Sequence, residues 1–300
     1  MKTTAFFGLG LAVLAASSVN GIDYEVASCA ELADIDDTTT VTSLTVTSTP
    51  FECDSYTRFR VRNDMVLRSD SAVVFSNFAL EVLGALTVEV DVLFHSVTDQ
   101  DEDGGALFVD AGASATFLGE SVFLQNSVLS PTSSIRYGGA IYNKGSISFD
   151  GTAGFLNNEV RTRDSTDVGK GGAIYNSGTG TMVFKAGLLA DENEADGGFE
   201  GQGGAIYNSG QIVVEGESSL TKNGAPDGGA IYVDEDGTMT FNGYATFTEN
   251  DAYDFQGGAI ASFGSLNLMG GALFQSNYAS SSGDGGSGGA IYNGGKGSLS

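Results

Sequence analysis

Carboxylates are the commonest groups in this chain that could do chemistry. Thirteen Lys and Arg stand against 38 Asp and Glu, a net charge of −25 over 300 residues. The acids gather in runs: Asp99, Asp101, Glu102 and Asp103; Asp164 and Asp167; Asp191, Glu192, Glu194, Asp196 and Glu200; Asp251 and Asp254. Stacked loops that brought such oxygens together would offer Ca2+ its usual ligands. Asp164, Asp167, Asp191, Glu194 and Asp196 are therefore the expected ligands of weak calcium sites, set against the plainer reading of a solvated acidic edge that keeps the protein soluble. No other cofactor is expected, and neither an EF-hand loop nor a Gly-Gly-x-Gly-x-Asp repeat occurs. Two carboxyls about 5 Å apart would suit glycoside hydrolysis. Arg136, Arg161 and Arg163, beside Asp164 and Asp167, would add the basic group of a lyase acting on acidic polysaccharide. A Ser-His-Asp arrangement would rest on His95, the single histidine. The acidic balance works against nucleic acid, whose affinity comes from Lys and Arg on phosphates.

A second set of candidates is aromatic. Tyr142, Tyr175, Tyr207, Tyr232 and Tyr292 each follow an Ile in near-copies of one stretch, Gly138-Gly139-Ala140-Ile141-Tyr142-Asn143, which returns at Gly171, Gly203, Gly228, Gly257 and Gly288. With a looser copy at Gly104, the starts are separated by 34, 33, 32, 25, 29 and 31 residues. That period marks a solenoid. An exposed row of Tyr would serve sugar or partner binding, and the alternative is aromatic stacking that stabilises the sheet under covering loops. The Asn residues at 143, 176, 208 and 293 are expected to form a hydrogen-bonded ladder at a turn.

What positions these groups is parity. From Ile141 the next large apolar residues are Ile147, Phe149 and Phe155, at offsets of 6, 8 and 14; Ile206 and Ile260 repeat the same offsets. Leu107 and Ile231 use 8, 10 and 16. All are even, and even separation in a strand means one face, so an insertion of two residues preserves the facing where one would invert it. The copy at Ile174 is the least regular, with Gly180, Met182, Phe184 and Leu188 inward. After the last apolar position comes Phe-x-x-Asn, ending at Asn126, Asn158, Asn223, Asn250 and Asn277, with Asp191 as the expected equivalent in the Ile174 copy. The Asn is expected to take the left-handed turn itself. Gly at 44 positions and the lack of a 3.6-residue apolar stripe exclude a helical repeat. The fold expected is all-β: a parallel β-helix of about six repeat coils, 104–300, with rungs stacking about 4.8 Å apart.

The pairing of Gly-Gly-Ala-Ile with Phe-x-x-Asn over Gly104 to Ser300 resembles the repeat of polymorphic outer-membrane proteins, and the wider group of right-handed β-helices that includes pectin-lyase-like proteins. The resemblance implies right-handedness and a role as a surface adhesin. Members of that repeat family are carried by a C-terminal transporter barrel, and none is expected within these 300 residues.

Residues 1–21 read as a secretory signal peptide: Lys2, an apolar run from Ala5 to Ala16, then small and polar residues. No other apolar run reaches the roughly 20 residues of a membrane span. Residues 22–103 are expected to form an N-terminal cap and degenerate coils. Export favours a disulfide between Cys29 and Cys53 over two buried thiols, worth about 3 kcal/mol in the chain-entropy model. The sequence ends inside the copy begun at Gly288, and a fragment or an incomplete gene model is expected, the alternative being an incomplete coil left as an open sheet edge. The function expected is a secreted or cell-surface, non-catalytic β-helix that binds an extracellular glycan or a matrix or cell-surface protein. A polysaccharide lyase or hydrolase using loop acids is the alternative.

Overall fold

Each rung is made of short strands because its bulky residues alternate with Ser, Thr and Gly, and the alternation puts the bulk on one wall. In the computed structural model Ile141, Ile147, Phe149, Ala153 and Phe155 are all buried at 1% exposure or less, while Tyr142, Ser148 and Leu156 between them face outward. The structure describes residues 22–33, 35, 41–99, 103–129, 135–162, 167–196, 198, 200–280, 287–295 and 297–300. The expected signal peptide at 1–21 lies outside the described residues, as do Asp101, Glu102, Arg163 and Asp164.

One rung runs through four strands: Ile141–Asn143, Ser146–Phe149, Ala153–Leu156 and Glu159–Arg161. Each pairs in parallel with its equivalents one rung before and one rung after. The result is a right-handed parallel β-helix. The second strand of each rung lies in an 11-stranded sheet that begins with Ile22–Val26 and ends with Ser298–Leu299. The stack therefore continues unbroken through the region without Gly-Gly-Ala-Ile copies. There the ten-residue strand Val73–Val82 turns a corner and serves two faces, pairing with Val92–His95 through its first half and Leu107–Val109 through its second. Cys29, in the short helix Cys29–Ala33, is disulfide-bonded to Cys53, with Cα atoms 5.3 Å apart. Among the described residues no helix is long and apolar enough to cross a membrane.

Register turns the repeat into columns. Leu80, Leu107, Ile141, Ile174, Ile206, Ile231, Ile260 and Ile291 oppose one another rung by rung. Beside them the rings of Phe75, Phe94, Phe123 and Phe155 stack at 5.0–5.2 Å, and Phe117, Phe149 and Phe184 form a parallel column at 5.0–5.1 Å. The two columns meet edge to face, as Phe149 does with Phe155 at 6.2 Å and 88°. Both geometries are the favoured ones for aromatic quadrupoles.

Two sequence expectations are corrected. The Ile174 copy is a regular long copy: Met182, Phe184 and Ala190 lie at offsets of 8, 10 and 16, Ala190 opposes Phe155, and the Asn of this rung is Asn193, not Asp191. A small residue in the Phe position hid the match. The left-handed residue of the turn is also not the Asn but the one before it: Gln125, Asn157, Glu192, Lys222, Glu249 and Ser276 all have φ of 51–55°. That frees the Asn to point inward. Asn126 donates through both its backbone N–H and its Nδ2 to Asn158 Oδ1 at 3.0 Å, and Asn158, Asn193, Asn223 and Asn250 each do the same to the next Asn at 2.9–3.1 Å. The second Nδ2 hydrogen goes back to a carbonyl of the preceding rung, from Asn158 to Phe123 O for instance. Asn126, Asn158, Asn193, Asn223 and Asn250 are at most 1% exposed, so these bonds satisfy turn groups that water does not reach.

Two stability outcomes follow. Asn158→Leu deprives both Asn126 donors and Phe123 O of partners, at about 1–3 kcal/mol for each orphaned group, so denaturant unfolding should show a loss of roughly 3 kcal/mol or more. Glu249→Gly, at a left-handed position, should instead raise stability by about 0.5–1 kcal/mol. An unchanged midpoint in the first variant would remove the ladder from the account.

Candidate functional site

The Gly pair builds the corner from which the candidate residues project. Gly171 has a φ of 69°, where a side chain is strained, and a Cβ on Gly172 would run into Gly204 O of the next rung. The doublets of successive rungs therefore lie over one another. Because this corner is fixed, the residue just before it also falls into register. Tyr137 opposes Lys170, Lys170 opposes Gln202, and Gln202 opposes Asp227. Asp103, Gln256 and Ser287 hold the same sequence position in their copies. This polar column runs beside the Tyr column that follows each Ile.

The Tyr side chains lie on the outer wall, as parity requires, but they form a packed stack. Tyr175 and Tyr207 are parallel at 5.1 Å and Tyr207 and Tyr232 at 5.3 Å, while Tyr142 meets Tyr175 edge to face at 5.0 Å. Tyr207 is 3% and Tyr232 8% exposed, and Tyr142, Tyr175 and Tyr292 are partly buried. Ala261 interrupts the row and Phe263, two residues on, fills the gap, tilted over Tyr232 at 5.3 Å. Tyr137 covers Tyr175 from the polar column at 4.4 Å. Burial pushes the Tyr175 hydroxyl up to about 12 and that of Tyr207 further, the latter also because it is bonded to a carboxylate. Lys170 Nζ lies 4.4 Å from the centre of the Tyr207 ring and donates to its hydroxyl at 3.2 Å, and that hydroxyl donates to Asp234 Oδ2 at 2.6 Å. Burial lowers the Lys170 ammonium, and Asp234 and Glu200 oppose that shift.

Beside this relay the loops leave a cleft of about 320 Å3, lined by Ile135, Val168, Lys170, Glu200, Gln202, Asp227 and Phe255. Two of its polar groups stand out: Gln202 Oε1 and Asp227 Oδ1 are buried and have no hydrogen-bond partner. Ile135 and Phe255 are instead exposed, at 46% and 43%. Burial raises the Asp227 carboxyl to about 7, against the pull of the Gln256 and Gly228 backbone N–H groups. Asp103, the equivalent residue four rungs earlier, is raised to about 6, again by burial. An apolar wall with a few converging polar groups and a perturbed acid is the usual form of a ligand site.

The expected calcium ligands are dispersed. Asp164 is outside the described residues. Asp167 is buried at 3%, Asp191 lies on the third strand of its rung, and Glu194 and Asp196 lie on the fourth, beyond the turn at Glu192. Among the described residues no group of three or more His, Cys, Asp or Glu could hold a metal. Arg161 is paired with Glu159 on its own strand at 2.6 Å. His95 bonds to Gln125 and Ser96 and lines no part of the cleft. The cleft residues Lys170, Gln202 and Asp227 do not form a motif in sequence; their constant offset of one before each Gly pair is the signal that would have placed them in one column. Comparison with family models, curated proteins and solved structures finds no match for this chain.

The two raised acids set a pH dependence. Unfolded Asp titrates near 3.9, so between about 4 and 7 the folded state holds protons that the unfolded state has lost. Stability should then rise as the pH falls through the folded values of about 7 for Asp227 and about 6 for Asp103, and stop rising near the unfolded value. Asp227→Asn should flatten the upper part of that curve, measured as denaturation midpoint between pH 5 and 8. A variant with the wild-type slope would contradict the burial of this carboxyl.

Proposed function

We propose that this protein is a secreted or cell-surface β-helix that binds an extracellular glycan or a matrix or cell-surface protein, with the cleft between Ile135 and Phe255 as its contact point. One observation carries the reading: an open cleft of about 320 Å3 joins two exposed apolar side chains, Ile135 and Phe255, to the polar groups of Lys170, Glu200, Gln202 and Asp227. The disulfide between Cys29 and Cys53 suits an oxidising compartment, which supports export. The repeat fits the polymorphic outer-membrane type in its Gly-Gly-Ala-Ile corners and in its Phe-x-x-Asn turns, whose Asn residues link successive rungs. Surface display is the role that resemblance suggests. A weak Ca2+ association of the acidic loops, with Asp164, Asp167, Asp191, Glu194 and Asp196 as first candidates, would be a property of the edge and not of the cleft.

A second reading, a polysaccharide hydrolase, is favoured by the Asp227 carboxyl, which is protonated for much of the time near neutral pH and shares its cleft with Glu200. The two readings part in one experiment. Folded protein incubated with a panel of glycans and matrix proteins should show saturable binding without release of reducing ends. Release that is lost in both Asp227→Asn and Glu200→Gln would decide for the hydrolase, and absence of both binding and release would exclude both.

A further inference from the structure

Packing explains why the tyrosines stack, but the partner of the most buried hydroxyl in that stack opens a chemistry that packing does not use. The chain has no Trp and both of its Cys are in a disulfide, so its phenol rings are the side chains that give up a single electron most readily. Five of them are gathered in one column. The rings of Tyr137, Tyr142, Tyr175, Tyr207 and Tyr232 each lie 4.4–5.3 Å, centre to centre, from a neighbour in the set. Tyr207 is within 9° of parallel to Tyr175 on one side and within 5° of parallel to Tyr232 on the other. Rings in such contact can pass an electron in short steps along the axis of the stack.

An oxidised phenol is a strong acid, and it settles as a neutral phenoxyl radical only when its proton has somewhere to go. The Tyr207 hydroxyl donates to Asp234 Oδ2 at 2.6 Å, a short charge-assisted bond that already points the proton at its acceptor. Lys170 Nζ donates to the same phenol oxygen at 3.2 Å and can go on doing so once the proton has left. Tyr175 has only the hydroxyl of Ser209 beside its own, a far weaker base. We propose that this column is a path for one-electron oxidation and that Tyr207 is the member on which the radical rests, an activity independent of what the cleft binds. The oxidant is of the peroxyl-radical class and reaches the partly buried Tyr142 or Tyr175. It takes one electron and, with a proton from water, becomes a hydroperoxide. Tyr207 makes good the electron through the stack, its O–H bond breaks, and the proton moves to Asp234 Oδ2. At 3% exposure the Tyr207 ring is shielded from other radicals and from solvent, so the radical persists until a reductant returns the electron and Asp234 the proton.

The test is flash photolysis of the full folded chain with tris(bipyridine)ruthenium as sensitiser and persulfate as electron acceptor, following the tyrosyl radical by its absorption and its electron spin resonance. A component that outlasts the radical of free tyrosine should appear. Tyr207→Phe should abolish it, and Asp234→Asn, which removes the base but keeps the shape, should slow its appearance roughly a hundredfold. Tyr175→Phe combined with Tyr232→Phe keeps the packing but takes away both neighbouring donors, and should slow it several-fold. Tyr244→Phe and Tyr278→Phe, at exposed rings outside the column, should leave it unchanged. Circular dichroism verifies folding. Should Tyr207→Phe not fold, the wild-type rate in heavy water decides the same point, since a proton that leaves with the electron makes that rate fall. Absence of a long-lived radical, or one that survives Tyr207→Phe, overturns the assignment to Tyr207. A wild-type rate in Asp234→Asn, or no slowing in heavy water, overturns the proton transfer, and a wild-type rate in the double variant overturns the path.

Discussion

A parallel β-helix satisfies the polar groups of each rung only through the rungs on either side, and everything else in this molecule follows from that requirement. A strand of three or four residues has no stability of its own. It exists here because its N–H and C=O groups meet those of the copies above and below in register. The same need appears at the turns, where the backbone leaves the sheets. There a buried Asn takes over, bonding through its amide and its backbone to the Asn of the next rung and back to a carbonyl of the last. The turn is thereby tied to the stack as tightly as the strands are, and loops of four to twelve residues can follow it without disturbing the register.

Register in turn makes every position of a rung a column of like environments. Inside, this yields stacked Ile and stacked Phe, with the two Phe columns meeting edge to face. Outside, the same rule places Tyr over Tyr, and a residue that looks like an exposed platform in one rung becomes the cover of the next. This is why Tyr207 and Tyr232 are buried although they point away from the core. The column before the Gly pair is chemically mixed where its neighbours are uniform: Asp103, Tyr137, Lys170, Gln202 and Asp227 succeed one another. A column whose chemistry changes from rung to rung is not explained by stacking, and it is here that the buried, unpaired acceptors and the two raised acids are found.

Acidity has separate roles at the two kinds of position. Many of the described carboxylates stand exposed to solvent, Glu192, Glu200, Glu235 and Asp236 among them. Asp227 and Asp103 are held at the corner, beside backbone and aromatic surface, and burial there makes them reluctant to ionise. Sequence composition counts these groups alike.

The parity of the apolar residues is a local property. Side chains two residues apart share a face whatever surrounds them, so Ile147, Phe149 and Phe155 could be assigned to one interior wall, the rungs counted, and the Gly pairs placed at corners from the sequence alone. The Asn193 turn was hidden for an equally local reason, since Ala190 stands where the other copies carry Phe or Leu. What only the stacking decided is which residues of different rungs lie side by side on the outer surface. That depends on the tilt of the corner and on loop lengths that vary from copy to copy, so Lys170, Gln202, Asp227 and Phe255 converge on one cleft, while Asp191 and Glu194, close in sequence, are turned apart by a single left-handed residue between them.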